Sequence, residues 1–247
     1  MQSVRSKDEE AAYEAEVDRL RNPRLVDLWT GTLDLSFANS HGNADTSTFS
    51  LSGTANRATT RDKIAVYYTS LFSSSNATGP QITTANAKRG GILYDLNVSK
   101  KWFVFGSVDL DSDQFQLLDL RFVPAGGGGY HALKTDRKTL DFSLGVAGDR
   151  EFFSTGLNRT SAEILLGEDL THKINGTTSI TERLLLFPDV SNTGEYRANF
   201  DLSAATAIRK WLSWQLTFSD RYLSNPVAGR KKNDTLFTTG LRLTFAK

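Results

Sequence analysis

The 247 residues carry 29 Lys and Arg against 28 Asp and Glu, a balance that excludes the strongly basic footprint of a nucleic-acid-binding protein. There is no cysteine, hence no disulfide, no thiolate metal site and no cysteine nucleophile. Mean hydropathy is −0.35 and no apolar run approaches the roughly 18 residues of a transmembrane helix. A membrane β-barrel stays open, because its strands alternate apolar and polar residues and average out as hydrophilic.

Met1 leads into a charged stretch rather than a signal peptide, so on a barrel reading the chain is expected to be a mature or trimmed form. Residues 6–22 read as a helix: Asp8, Glu9 and Glu10 favour its first turn, and Arg19 and Arg21 its last. Its apolar stripe, Tyr13, Val17 and Leu20, is narrow. Residues 1–24 are therefore read as a charged helical extension, either partly ordered or acting as a short plug or contact helix, and residues 25–247 as the main domain.

From Leu25 onward the apolar period is two. Leu33, Leu35 and Phe37 set the pattern, and it returns in Phe49–Leu51, Ile64–Val66–Tyr68, Trp102–Val104, Leu118–Leu120–Phe122, Leu140–Phe142–Leu144 and onward to Leu241–Leu243–Phe245. The count comes to about twelve strands. Short connections such as Thr59–Asp62, Asn97–Lys100, Lys134–Arg137, Asn175–Thr177 and Arg209–Lys210 alternate with mostly longer ones, Ser73–Ile82, Asp111–Leu117, Phe153–Thr160, Pro188–Glu195 and Leu223–Asn233. Tight turns at one end and longer loops at the other mark an antiparallel up-and-down transmembrane β-barrel; a Greek-key sandwich would mix them.

The polar face holds Asp34, Arg89, Asp109, Asp111, Asp119, Arg121, Asp141, Asp149, Arg183, Asp201, Arg221 and Arg242. A dry core cannot hold so many charges, so these residues are expected to line a wet, ion-paired lumen, with Asp109, Asp119 and Arg121 as an inward network. Glu168 and Glu182 fall on the opposite, apolar face and are expected to lie near an interface, to pair with a neighbouring subunit, or to mark a register slip at a bulge. The run Gly126–Gly129 lies inside a strand pattern without the Lys–Ser/Thr of a phosphate loop; it is read as a bend or as room for a packed lumen side chain. Trp29, Trp102, Trp211 and Trp214 cluster toward the short-turn end, where an interfacial aromatic girdle would lie.

Catalytic signals are weak. The three histidines, His41, His131 and His172, sit near turns or in a loop, and no G-x-S-x-G occurs. The alternation Asp109, Asp111, Asp113 lacks the turn and terminal Glu of a calcium loop. No enzyme activity, metal or cofactor is expected.

Several stretches carry a resemblance. Gly42–Asn43–Ala44–Asp45–Thr46, Lys101–Trp102–Phe103–Val104–Phe105–Gly106 and Phe115–Gln116–x–Leu118–Asp119–Leu120–Arg121 with the glycine run and Gly129–Tyr130 resemble the YdiY-like family of bacterial outer-membrane proteins (domain of unknown function 481). Some of its members are described as salt-stress-induced outer-membrane proteins. The resemblance implies the bacterial outer membrane, with the lipid bilayer and the barrel-assembly machinery as partners and no nucleic acid; it implies no activity, and the oligomeric state stays open. Phe245 is followed by Ala246 and Lys247, which displaces the terminal aromatic signal common in such barrels. The acidic lean of the polar face favours a narrow cation-preferring channel. The alternatives are a closed structural envelope barrel and a soluble ligand-binding β-barrel.

Overall fold

A computed structural model describes residues 9–14, 17, 23–40, 46–76 and 80–246. Residues 9–14 and 17 are helical; the rest of the expected 6–22 helix lies outside the described residues, as do His41 and Gly42–Asp45. Beyond them the chain is a closed antiparallel barrel in which each strand pairs with its sequence neighbours and the last pairs with the first.

The strands are β1 (Trp29–Ser40), β2 (Thr46–Ala58), β3 (Asp62–Ser75), β4 (Ile82–Asn97), β5 (Trp102–Asp113), β6 (Leu118–Lys134), β7 (Lys138–Phe153), β8 (Asn158–Lys173), β9 (Thr178–Pro188), β10 (Tyr196–Arg209), β11 (Leu212–Leu223) and β12 (Asn233–Ala246). The number of strands and their meander order are those expected from the alternation. Several connections are shorter than expected. Ser73–Ser75, Asp111–Asp113 and Asn158–Thr160 belong to strands, and residues 114–117 and 154–157 are as tight as the turns of the opposite end. Polar cross-strand pairs carry the ladder past the last apolar residues: Thr48 and Ser73 share a hydroxyl hydrogen bond of 2.9 Å, and Thr46 donates to Ser75 at 3.3 Å. Length asymmetry survives chiefly in residues 189–195 and 224–232.

Register fixes the faces, since directly paired residues share one and successive residues alternate. The outward set is apolar and exposed: Val146, Leu144, Phe237, Phe142, Ile92 and Tyr68 all lie on it. Trp102, Trp211 and Trp214 are exposed at the tight-turn end, and Trp102 meets Tyr130 with ring centroids 4.8 Å apart. Glu168 and Glu182 are on this outward face. The ladders around them run without a break, with Glu168 opposite Phe142 and Leu184, and Glu182 opposite Leu170 and Leu202, so a bulge is not the reason for their position.

The chain enters the barrel at the tight-turn end. There the backbone N–H and guanidinium of Arg24 donate to Asp27. Arg57, buried and ion-paired to Asp62 at 3.1 Å, donates to the Pro23 and Arg24 carbonyls. This clamps residues 23–27 against the β2–β3 turn.

The glycine run of β6 is explained by close approach, not by bending, because the β6–β7 register is unbroken from Ala125 to His131. Gly127 and Gly129 face inward. The Phe103 ring lies on Gly129, the Phe105 ring lies on Gly145, and Gly127 stands directly opposite Gly145 with the Leu144 carbonyl against its α-carbon face. Room for packed interior rings is the reason for the glycines.

Candidate functional site in the barrel interior

Inward residues of neighbouring strands form rows across the wall. One row reads Arg89, Asp111, Arg121, Glu151, Arg159 from β4 to β8, each directly paired with the next. The sign alternates at every step, so each charge lies between opposite neighbours. Arg121 is the hub: it donates to Glu151 and lies 3.4 Å from Asp149 and 3.7 Å from Asp111. Arg89 reaches Asp111 at 3.6 Å.

A second group spans strands that are not neighbours. Arg197 of β10 makes a two-pronged contact with Glu163 of β8, Nε to Oε1 at 2.9 Å and Nη2 to Oε2 at 2.7 Å, and lies 3.3 Å from Asp149 of β7. Its guanidinium stacks over the Phe187 ring at 3.5 Å. Contacts that skip strands cross the interior. Arg197, Glu163, Asp149 and Glu151 are each 5–6% exposed. Next to them an inward apolar cluster of Val123, Ala147, Leu165 and Phe187 packs against Phe105 and Leu185. One wall of the barrel is thus filled.

The rest of the interior is wetter. His131, Asp141, Asp169, Arg183 and Asp201 form a row from β6 to β10. Asp141 and Asp169 stand directly opposite each other, and the Asp169 side chain retains 51% exposure although it points inward. Arg183 lies 3.6 Å from Asp169, and Nη2 of Arg221 donates to both carboxylate oxygens of Asp201 at 2.7 and 2.8 Å. His131 has both ring nitrogens engaged, by Asp141 at 2.7 Å and Asn97 at 3.1 Å. At the seam Arg242 pairs with Asp34 at 2.8 and 2.9 Å.

Of the expected residues, Asp111, Arg121 and Asp149 come together in one cluster, with Arg89 beside Asp111. Asp34 with Arg242, Arg183 with Asp169 and Asp201 with Arg221 form separate pairs. Asp109 instead accepts from the Tyr67 hydroxyl at 2.5 Å. Asp119 is a correction: it is exposed and falls in the register break between Leu118 and Leu120, which turns it out of the row that contains Arg121. The triplet Asp109, Asp111, Asp113 divides among Tyr67, arginines and a turn, Asp113 accepting from the backbone N–H groups of Phe115 and Gln116.

Three contributors were missed from sequence. Arg159 lies inside the expected connection Phe153–Thr160 and Arg197 just beyond the expected connection Pro188–Glu195, ahead of the clear apolar alternation of their strands. Extending the parity of Asp201 back through Asn199 reaches Arg197. Tyr67 lies between the apolar positions Val66 and Tyr68, hence on the opposite face, but no sequence signal pairs it with Asp109 two strands away.

Residues 33–245 match a family described as "Protein of unknown function, DUF481". Three solved structures are similar at low identity. A NanC porin is 12% identical (TM-score 0.48, 86% of this chain and 97% of that one). The KdgM porin is 11% identical (TM-score 0.47, 87% and 99%). An outer-membrane channel from Pseudomonas putida F1 is 11% identical (TM-score 0.48, 91% and 97%). Comparison with curated proteins found no match.

Proposed function

We propose, from the premise that the chain belongs to the DUF481 family, that it is a bacterial outer-membrane barrel with a narrow, water-filled, cation-preferring passage. On this reading residues 25–247 are the barrel and residues 1–24 an extension preceding it. The predicted polar set, apart from Asp119 and the enclosed Asp34 and Asp149, would line the passage. The observation that carries the proposal is the row through Asp141 and Asp169: inward carboxylates directly opposite one another, 31% and 51% exposed inside a closed barrel. Like charges so placed require water between them, and a wet acidic stretch concentrates cations.

The closed-barrel reading is favoured by a different observation, the buried Arg197–Glu163–Asp149 cluster and its apolar neighbours on one wall. Planar-bilayer recording separates the two. The channel reading expects conductance steps and a reversal potential of cationic sign under a KCl gradient. It also expects Asp141→Asn with Asp169→Asn to lower the cation-to-anion permeability ratio by about twofold or more. Absence of steps would establish the closed barrel, and purification as a monodisperse protein without detergent would overturn the membrane assignment.

The outward carboxylates give a second test of the membrane assignment. Facing lipid, Glu168 and Glu182 cost stability. Replacing both with Leu is expected to raise the unfolding free energy in lipid vesicles by about 2 kcal/mol, read from urea titration. A loss of stability instead would mean that another protein surface covers them.

A further inference from the structure

At the long-loop end the interior opens into two compartments of opposite character. One, of about 250 Å³, is bordered by Asp149, Glu151, Glu163, Asp189 and Glu195 against two arginines, Arg159 and Arg197. The other, of about 50 Å³, is bordered by Arg89, Arg121, Arg197, Arg221 and Lys232 against three carboxylates, Asp111, Asp113 and Asp234. Arg197 and Leu223 border both, so the compartments adjoin at these two residues.

What matters for a ligand is the bonding capacity left over. In the acidic compartment Glu163 is taken by Arg197, Asp189 by the turn at Ser191 and Asn192, and Glu195 by Asn225. Asp149 is different. It is 5% exposed, and although its Oδ2 lies near Arg121 and Arg197, its Oδ1 is buried with no hydrogen-bond partner among the described residues. A buried carboxylate oxygen without a donor is costly, and a donor arriving from the compartment would relieve that cost. In the basic compartment Arg121, Arg197 and Arg221 are engaged by carboxylates. Arg89 has only the 3.6 Å contact to Asp111 among the described residues, and Lys232 is exposed on the loop above. Unused donors thus border one compartment, and a carboxylate with an unused acceptor borders the other.

We propose that the two compartments form one binding site for a small zwitterionic solute of the amino-acid or short-peptide class. Its ammonium donates to Asp149 Oδ1 beside Glu151, and its carboxylate is held by Arg89 and Lys232. A solute carrying only one charge satisfies one half and leaves the other as it was. This inference rests on the interior being wet and reachable from the long-loop end, as in the channel reading, but not on the passage being open throughout.

The test is equilibrium binding to the full chain in detergent, by isothermal titration with three probes: trialanine, N-acetyl-trialanine (anion only) and trialanine amide (cation only). Trialanine is expected to bind at least about tenfold more tightly than either singly charged form, a difference of ~1.4 kcal/mol. Asp149→Asn removes that advantage over the N-acetyl form. Lys232→Gln, an exposed change that leaves the barrel intact, weakens trialanine and the N-acetyl form but not the amide. Equal binding of all three, binding of one singly charged form alone, or no binding would overturn the proposal. Conductance of the same preparation reports on the channel reading separately.

Discussion

Replacing Arg197 with Ala is expected to lower the unfolding free energy by about 3–5 kcal/mol, measured by urea titration in micelles with tryptophan fluorescence. The reason lies in what remains. Glu163 and Asp149, each 5% exposed, would lose the shared guanidinium that holds them at 2.7 and 3.3 Å and be left as buried carboxyl groups short of a partner. Phe187 would lose the cation stacked 3.5 Å above its ring. Arg197→Lys should recover only part, because an ammonium cannot reproduce the two-pronged contact or the stacking. Adding Glu163→Gln to Arg197→Ala should restore a substantial share of the loss, so the double-mutant cycle should return a coupling energy of at least about 1 kcal/mol. A loss below about 1 kcal/mol for Arg197→Ala would mean that water reaches the cluster, and the filled wall would have to be abandoned.

The second large effect is expected at Gly127. A β-carbon added there meets the Leu144 carbonyl oxygen and the Gly145 α-carbon, both main-chain atoms that cannot swing aside. Gly127→Val should therefore cost about 3 kcal/mol. Gly106 supplies the control on the neighbouring strand: a β-carbon there meets nothing within 4 Å, and Gly106→Val should be neutral or stabilising, since a branched side chain favours a strand. Equal effects at the two sites would show that strand propensity, not contact, governs the glycine run.

The architecture was legible because alternation is a strong signal when one face meets an apolar medium. Leu33, Phe142, Leu144 and Leu241 set the register of their strands, and the twelve-strand meander follows from those apolar sets. The polar extensions were less legible. The serines Ser73–Ser75 look like loop residues until their partners Thr46–Thr48 are known, because their strand pairing depends on hydroxyl contacts across the ladder.

The interior was legible residue by residue but not as a network. Parity placed Asp111, Arg121 and Asp149 on one face. It could not distinguish Asp119, which a single-residue bulge removes from that face. Nor could it distinguish a carboxylate that stays wet, such as Asp169, from one that is enclosed, such as Asp149. That difference depends on which interior wall the apolar side chains fill, and Val123, Leu165 and Phe187 meet only through the pairing and curvature of four successive strands.

The Arg242–Asp34 pair lies where the last strand meets the first, 208 residues apart in sequence. No contact so distant can form early, because the intervening chain must first be ordered. Once the eleven hairpin pairings exist, the freedom that remains for β12 against β1 is sliding along a single edge. A slip of two residues preserves the inside and outside of every side chain, so alternation alone would not oppose it. It would, however, set Asp34 against Gly240 or Thr244 in place of its guanidinium partner. The ion pair therefore acts as a vernier mark on the final join, selecting one cylinder circumference and strand stagger from a set that the apolar pattern leaves nearly equal in energy.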